Sequence, residues 1–255
     1  MLSNILKNIL NLQKKIDINS LPSQGLFYND DFSIIIKKAD VEDIIEYEYK
    51  FDSDNISIII NKLKKIVENN VILPKKYIFN DIKSIDIVYL FLEIVKFTNN
   101  KNIKISFFND KIGKEEDINF DSTNFNYIEL SKNLLSKYNS ETKEFIIDGF
   151  KYSLPSIGVE NSLTNFLIHK SSDINFEFYN NCSYDFLYFL GHKNHLNYDE
   201  IDNLIHIFNY DISDEDRNII RNIIIDFSGI GKYTLKKDSK VIDFTSKIDL
   251  ENIWK

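Results

Sequence analysis

Apolar residues recur at intervals of three and four along much of the chain, and this spacing predicts a series of amphipathic helices. Ile56, Ile59, Ile60, Leu63, Ile66 and Val67 form one stripe with Lys62, Lys64 and Lys65 outside it, and Asp54 stands where an N-cap would. From Ser84 to about Phe97 the pattern changes: Ile87, Val88, Leu90, Phe91, Ile94 and Val95 leave almost no polar face, so this helix is expected at the centre of the core. Asp40 predicts a cap for a helix over Val41 to Tyr49, with Asp43 near its positive end. Residues 2–15 carry Leu2, Ile5, Leu6, Ile9, Leu10 and Leu12, again at helical spacing. They read as an amphipathic helix or arm, either docking a partner or folding onto its own domain.

Alternation and turn residues mark the strands. Ser33 to Lys37 reads as a buried strand, Asn102 to Phe108 as a second, and Ile118 to Phe120 as a third after a turn at Gly113. Asp148-Gly149 between Glu144 and Tyr152 predicts a two-residue hairpin turn, because these residue types accept positive φ. In Leu21-Pro22-Ser23-Gln24-Gly25, Pro22 fixes φ and Gly25 can take a positive φ, which predicts a turn. A helix from Val159 to His169 follows Leu154-Pro155-Ser156. Tyr184–Leu190 reads as an aromatic helix ending at Gly191, and Asn197 with Glu200 as a capping box for a helix carrying Ile201, Leu204, Ile205 and Phe208. Ser213 is expected to cap a further helix through Phe227. Tyr233–Leu235 and Val241–Phe244 close the chain as a hairpin.

The sum is an α+β fold: a small mixed or antiparallel sheet packed on helices, then a mainly helical C-terminal part ending in a hairpin. The expected division is 1–19 as the N-terminal arm, 20–170 as the α+β domain, and 171–255 as the helical region with its terminal hairpin.

Charge and composition narrow the function classes. With 31 basic against 39 acidic residues the formal charge is −8, and the lysines are scattered among acids, which argues against nucleic acid as a partner. No run approaches the roughly 20 apolar residues that span a bilayer. The apolar start is broken by Asn and Lys and lacks the pattern of a signal peptide. A lone cysteine, Cys182, can form no internal disulfide and suits a reducing cytosol.

Candidate chemistry is sparse. His192-Lys193-Asn194-His195 places two imidazoles three apart, and with Asp199 or Asp185 they could hold a metal, but a catalytic metal site needs a further strong ligand and a supporting shell. An exposed polar loop is the better reading. Ser228-Gly229-Ile230-Gly231-Lys232-Tyr233 imitates a phosphate loop, yet Asp226 occupies the position of its first glycine and Tyr233 that of its Ser or Thr. Glu115-Glu116 and Asp214-Glu215 read as solvated charges in turns or at helix starts. No catalytic, cofactor-binding or metal residues are assigned, and no cofactor is expected.

Three stretches together resemble a known family. They are the Leu21-Pro22-Ser23-Gln24-Gly25 turn with the strand and acidic helix after it, the segment Ile85-Asp86-Ile87-Val88-Tyr89-Leu90-Phe91-Leu92 between the helix over 54–70 and the strand Ile103–Phe107, and Phe145 through Tyr152 with Ser153-Leu154-Pro155-Ser156. Over residues 20–170 this order is similar to the T-even-type bacteriophage baseplate hub assembly proteins of contractile tails. The resemblance implies a non-enzymatic phage tail protein that promotes assembly of the central baseplate hub, or forms a minor part of it, by binding hub proteins in the host cytoplasm. The alternatives are a structural baseplate subunit retained in the virion, and an uncharacterised enzyme using the His192/His195 loop.

Overall fold

In the computed structural model, the structure describes residues 12–49, 56–109, 112–120, 125–127, 132–147, 150–171, 195–211, 213–215, 218, 233–237, 240–243 and 248–249. In chain order the elements are β1 (Gln13–Ile16), β2 (Ile34–Lys37), α1 (Val41–Tyr49), α2 (Ile56–Asn70), β3 (Val71–Ile72) and α3 (Ile87–Asn99). There follow β4 (Ile103–Asn109), β5 (Lys114–Phe120), β6 (Phe125–Tyr127), the single turn α4 (Lys132–Leu135), β7 (Tyr138–Asn139), β8 (Glu144–Ile147), β9 (Phe150–Tyr152) and α5 (Ile157–Lys170). The chain closes with α6 (Tyr198–His206), β10 (Tyr233–Lys237), β11 (Lys240–Asp243) and β12 (Ile248–Asp249).

The fold is α+β, but the strands do not make the single small sheet the sequence predicts. Among the described residues they form four three-stranded sheets, ordered β1-β2-β3, β7-β8-β9, β12-β4-β5 and β11-β10-β6, every pairing antiparallel. The chain also does not end on its hairpin: β12 follows and pairs with β4, while β10 pairs with β6. Pairings so distant in sequence leave no local pattern to read.

The main core gathers around α3. Ile87 and the run Tyr89 to Val95 are buried along it, as its nearly continuous apolar surface requires. Against it lie Ile34 and Ile36 of β2, Ile16 of β1, and Leu63, Ile66 and Val67 of α2. Glu93 is the polar exception on this helix, buried and ion-paired with Lys14 of β1. The helix stops at Asn100, whose left-handed φ of 51° lets its N–H reach back to Lys96 O.

Three local expectations change. The helical reading of residues 2–15 fails at its C-terminal end, since Gln13–Ile16 pairs with Ile34–Lys37 as strand β1, while residues 1–11 lie outside the described residues. Ladder bonds to a buried neighbouring strand outweigh the local apolar spacing. Glu115 and Glu116 sit in strand β5, opposite Phe108 and Phe107, not in a polar turn. Asp43 does more than face the helix dipole: its buried carboxylate accepts from Asn69 Nδ2 at 2.8 Å and Asn70 Nδ2 at 2.6 Å, tying α1 to α2.

Others hold. Asp40 Oδ1 accepts from Asp43 N, and Asn197 and Glu200 form both arms of a capping box; Ser156, not among the expected caps, accepts from Val159 N. Ile147 pairs with Phe150, so two residues separate the hairpin partners, as expected. Asp148 and Gly149 themselves, Asp54, Tyr184–Gly191 and the turn at Asp238-Ser239 lie outside the described residues, as does most of the segment from Ser213 to Phe227.

Candidate functional site

The segment Ile82 to Asp86, immediately before α3, is where distant parts of the chain converge. Leu21 to Gly25 folds as the sequence predicts: Gln24 N donates to Leu21 O, and Gln24 and Gly25 take φ of 55° and 70°. A side chain at Gly25 would meet Ile18 Cγ2 at 3.0 Å, so the position needs glycine for space as well as for φ. This turn aims Ser23 at Asp86. Ser23 N donates to Asp86 Oδ1 at 2.8 Å, Ser23 Oγ to Oδ2 at 2.8 Å, and the Tyr28 hydroxyl to Oδ2 at 2.6 Å. Tyr28 in turn accepts from Lys83 N at 2.9 Å.

A second Leu-Pro-Ser run clasps the same segment from the other side. Ser84 N donates to Pro155 O, Ile157 N donates to Ile82 O, and Lys83 bridges Ser156. A separate cluster of Phe27, Leu134, Phe145, Tyr152 and Leu154 packs the β8–β9 hairpin onto Leu26 and Phe27, just after the Leu21–Gly25 turn.

Two charged side chains are sealed into this junction. Asp86 is fully buried, and burial pushes its carboxyl up to about 6 against the lowering effect of the Tyr28, Ser23 and Lys83 groups around it. The same burial, with Asp86 beside it, raises the Tyr28 hydroxyl well above its ordinary value and keeps it a donor. Lys83 is 2% exposed, and burial lowers its ammonium to about 8 although Asp86, Asp81 and Glu144 oppose that shift. Among the described residues its Nζ makes one hydrogen bond, to Ser153 Oγ at 3.3 Å, and lies 5.9 Å from the Phe27 ring centroid.

A cavity of about 80 Å³ adjoins the junction, lined by Phe27, Tyr28, Asn29, Phe32, Tyr77, Asp81 and Lys83. Its aromatic wall is ordered: Tyr28 stacks on Phe32 at 4.2 Å, and Phe32 meets Tyr77 edge-on at 4.9 Å. Tyr77 donates to Asp31 Oδ1 at 2.7 Å and fixes that wall at the surface.

Of the residues weighed from sequence, His195 and Asp199 lie on or beside α6, away from this junction. His195 Nδ1 stands 3.0 Å from Ser162 Oγ, which accepts from Leu196 N, and these contacts hold the loop before α6 onto α5. Asp199 lies in the first turn of α6. His192, Asp185, Cys182 and the Ser228–Tyr233 run, except Tyr233, lie outside the described residues, and among the described residues no three His, Cys, Asp or Glu side chains are placed to hold a metal. Exposed apolar side chains include Val41 and Ile45, one helical turn apart on α1 and 69% and 56% exposed.

Sequence reading missed Lys83, Asp86 and Tyr28 as a buried polar cluster. One signal was present: Lys83 and Asp86 directly precede a helix apolar on nearly every side, so burying the helix start buries them too. No protein-family model, curated protein or solved structure matches the chain.

Proposed function

We propose that this chain works by binding other proteins, as a non-enzymatic assembly factor of the central baseplate hub of a contractile-tailed phage, acting in the host cytoplasm. One observation carries the reading. Two of the stretches that carry the resemblance touch directly, Ser23 on Asp86, and Pro155-Ser156 of the third pairs with Lys83-Ser84, just ahead of the Ile85–Leu92 stretch. Val41 and Ile45, exposed one turn apart on α1, are the apolar surface at which the proposal is tested.

The test is co-expression with the hub subunits of the same phage, followed by size-exclusion chromatography. Co-elution with a hub subunit, weakened by Val41→Glu with Ile45→Glu, is the expected result. Separate elution from every hub subunit would contradict the proposal.

A further inference from the structure

Leu12, Val41 and Ile45 are each more than half exposed, and all three stand beside the same end of strand β2. The register places them there. Gln13, the first residue of β1, pairs with Lys37, the last of β2, and α1 begins four residues later at Val41. Helix α1 has an inner and an outer face. Asp43 meets Asn69 and Asn70 of α2, and Ile44 packs against the main core. At about 100° per residue, Val41, Glu42 and Ile45 fall on the opposite side, and all three are exposed. Asn70 leads directly into β3, and the order β1-β2-β3 puts β1 on the far side of β2 from it. The chain ahead of β1 thus departs from the sheet edge remote from α2, and the outer face of α1 also turns away from α2.

That chain is residues 1–11. It carries Leu2, Ile5, Leu6 and Ile9 at helical spacing, one cation in Lys7, and no acid. Residues 40–49 are its electrostatic complement, with Asp40, Glu42, Asp43, Glu46 and Glu48 and no cation. Length is sufficient: eleven residues span about 16 Å as a helix or roughly 36 Å extended. The backbone from Lys37 to Val41 covers at most about 14 Å.

We propose that residues 2–11 fold back within the same chain over the outer face of α1 and seat their apolar side chains on Val41 and Ile45. Such a cover is an autoinhibitory contact, because any partner that uses this face must first displace it. It is made within one chain and does not depend on the hub reading.

The test is photo-crosslinking of the full-length protein carrying Ile45→p-benzoylphenylalanine, a solvent-facing position on which the core does not depend. Peptide mass spectrometry of the monomer band should find adducts within residues 2–11, at a yield independent of protein concentration. Leu6→Glu with Ile9→Glu should lower that yield at least about ten-fold, because two apolar side chains leave the contact. The same probe at Ile168, exposed on α5, should give no adduct in residues 2–11. No adduct within residues 2–11 from position 45, equal adducts from position 168, or a yield unchanged by the double substitution would overturn the proposal. Adducts confined to a covalent dimer would overturn it too, and would mean that a second copy covers α1.

Discussion

Asp86 shows how a buried charge is held in this protein. Three donors converge on its carboxylate from the Leu21–Tyr28 segment, so the residue fixes a turn some sixty positions away in sequence. Asp86→Ala leaves the Ser23 amide, Ser23 hydroxyl and Tyr28 hydroxyl without their acceptor in a sealed site, and should cost about 3 kcal/mol in urea denaturation. Tyr28→Phe removes one donor to Asp86 and the acceptor of Lys83 N, and should cost about 2 kcal/mol in the same assay. The pH dependence has a definite sign. Because burial raises the folded-state value of Asp86 to about 6, the folded protein holds this proton more tightly than the unfolded chain does. The resulting stabilisation is full below the unfolded carboxylate range and is lost as pH rises through about 6. Wild type should therefore gain about 2 kcal/mol relative to Asp86→Asn as pH falls from about 7 to about 4, measured as paired denaturation curves. A pH-independent difference between the two would show that Asp86 does not carry that shift.

At the scale of elements, helices announce themselves and long-range pairings do not. The all-apolar surface of α3 predicts its central place, and α3 is buried along most of its length. Asp40 and Asn197 are legible as caps because each cap needs only the three residues that follow it. By contrast β1 hides in a helical spacing, and the partnerships of β10 with β6 and β12 with β4 join segments over a hundred residues apart. The candidate site was less legible still: Ser23, Tyr28, Lys83 and Asp86 are unremarkable singly, and only the fold makes them neighbours. The α1–α2 contact offers an element-scale test. Asp43→Ala removes the acceptor of both Asn69 and Asn70 and leaves the buried Asn70 with only Ile66 O among the partners seen here. The variant should lose about 2 kcal/mol of stability, and hydrogen exchange should quicken in α1 more than in α3.

For the whole molecule, the described residues contain no helix long and apolar enough to cross a membrane. Two Leu-Pro-Ser runs grip one segment at the head of the central helix. If the protein guides hub assembly, it should meet its partners while hubs are being built. The most direct measurement is an affinity pull-down of the tagged protein from phage-infected cells, read by mass spectrometry. Baseplate hub subunits enriched over a tag-only control are the result the proposal predicts. Their absence from the pull-down, in cells where hub proteins are abundant, would contradict it.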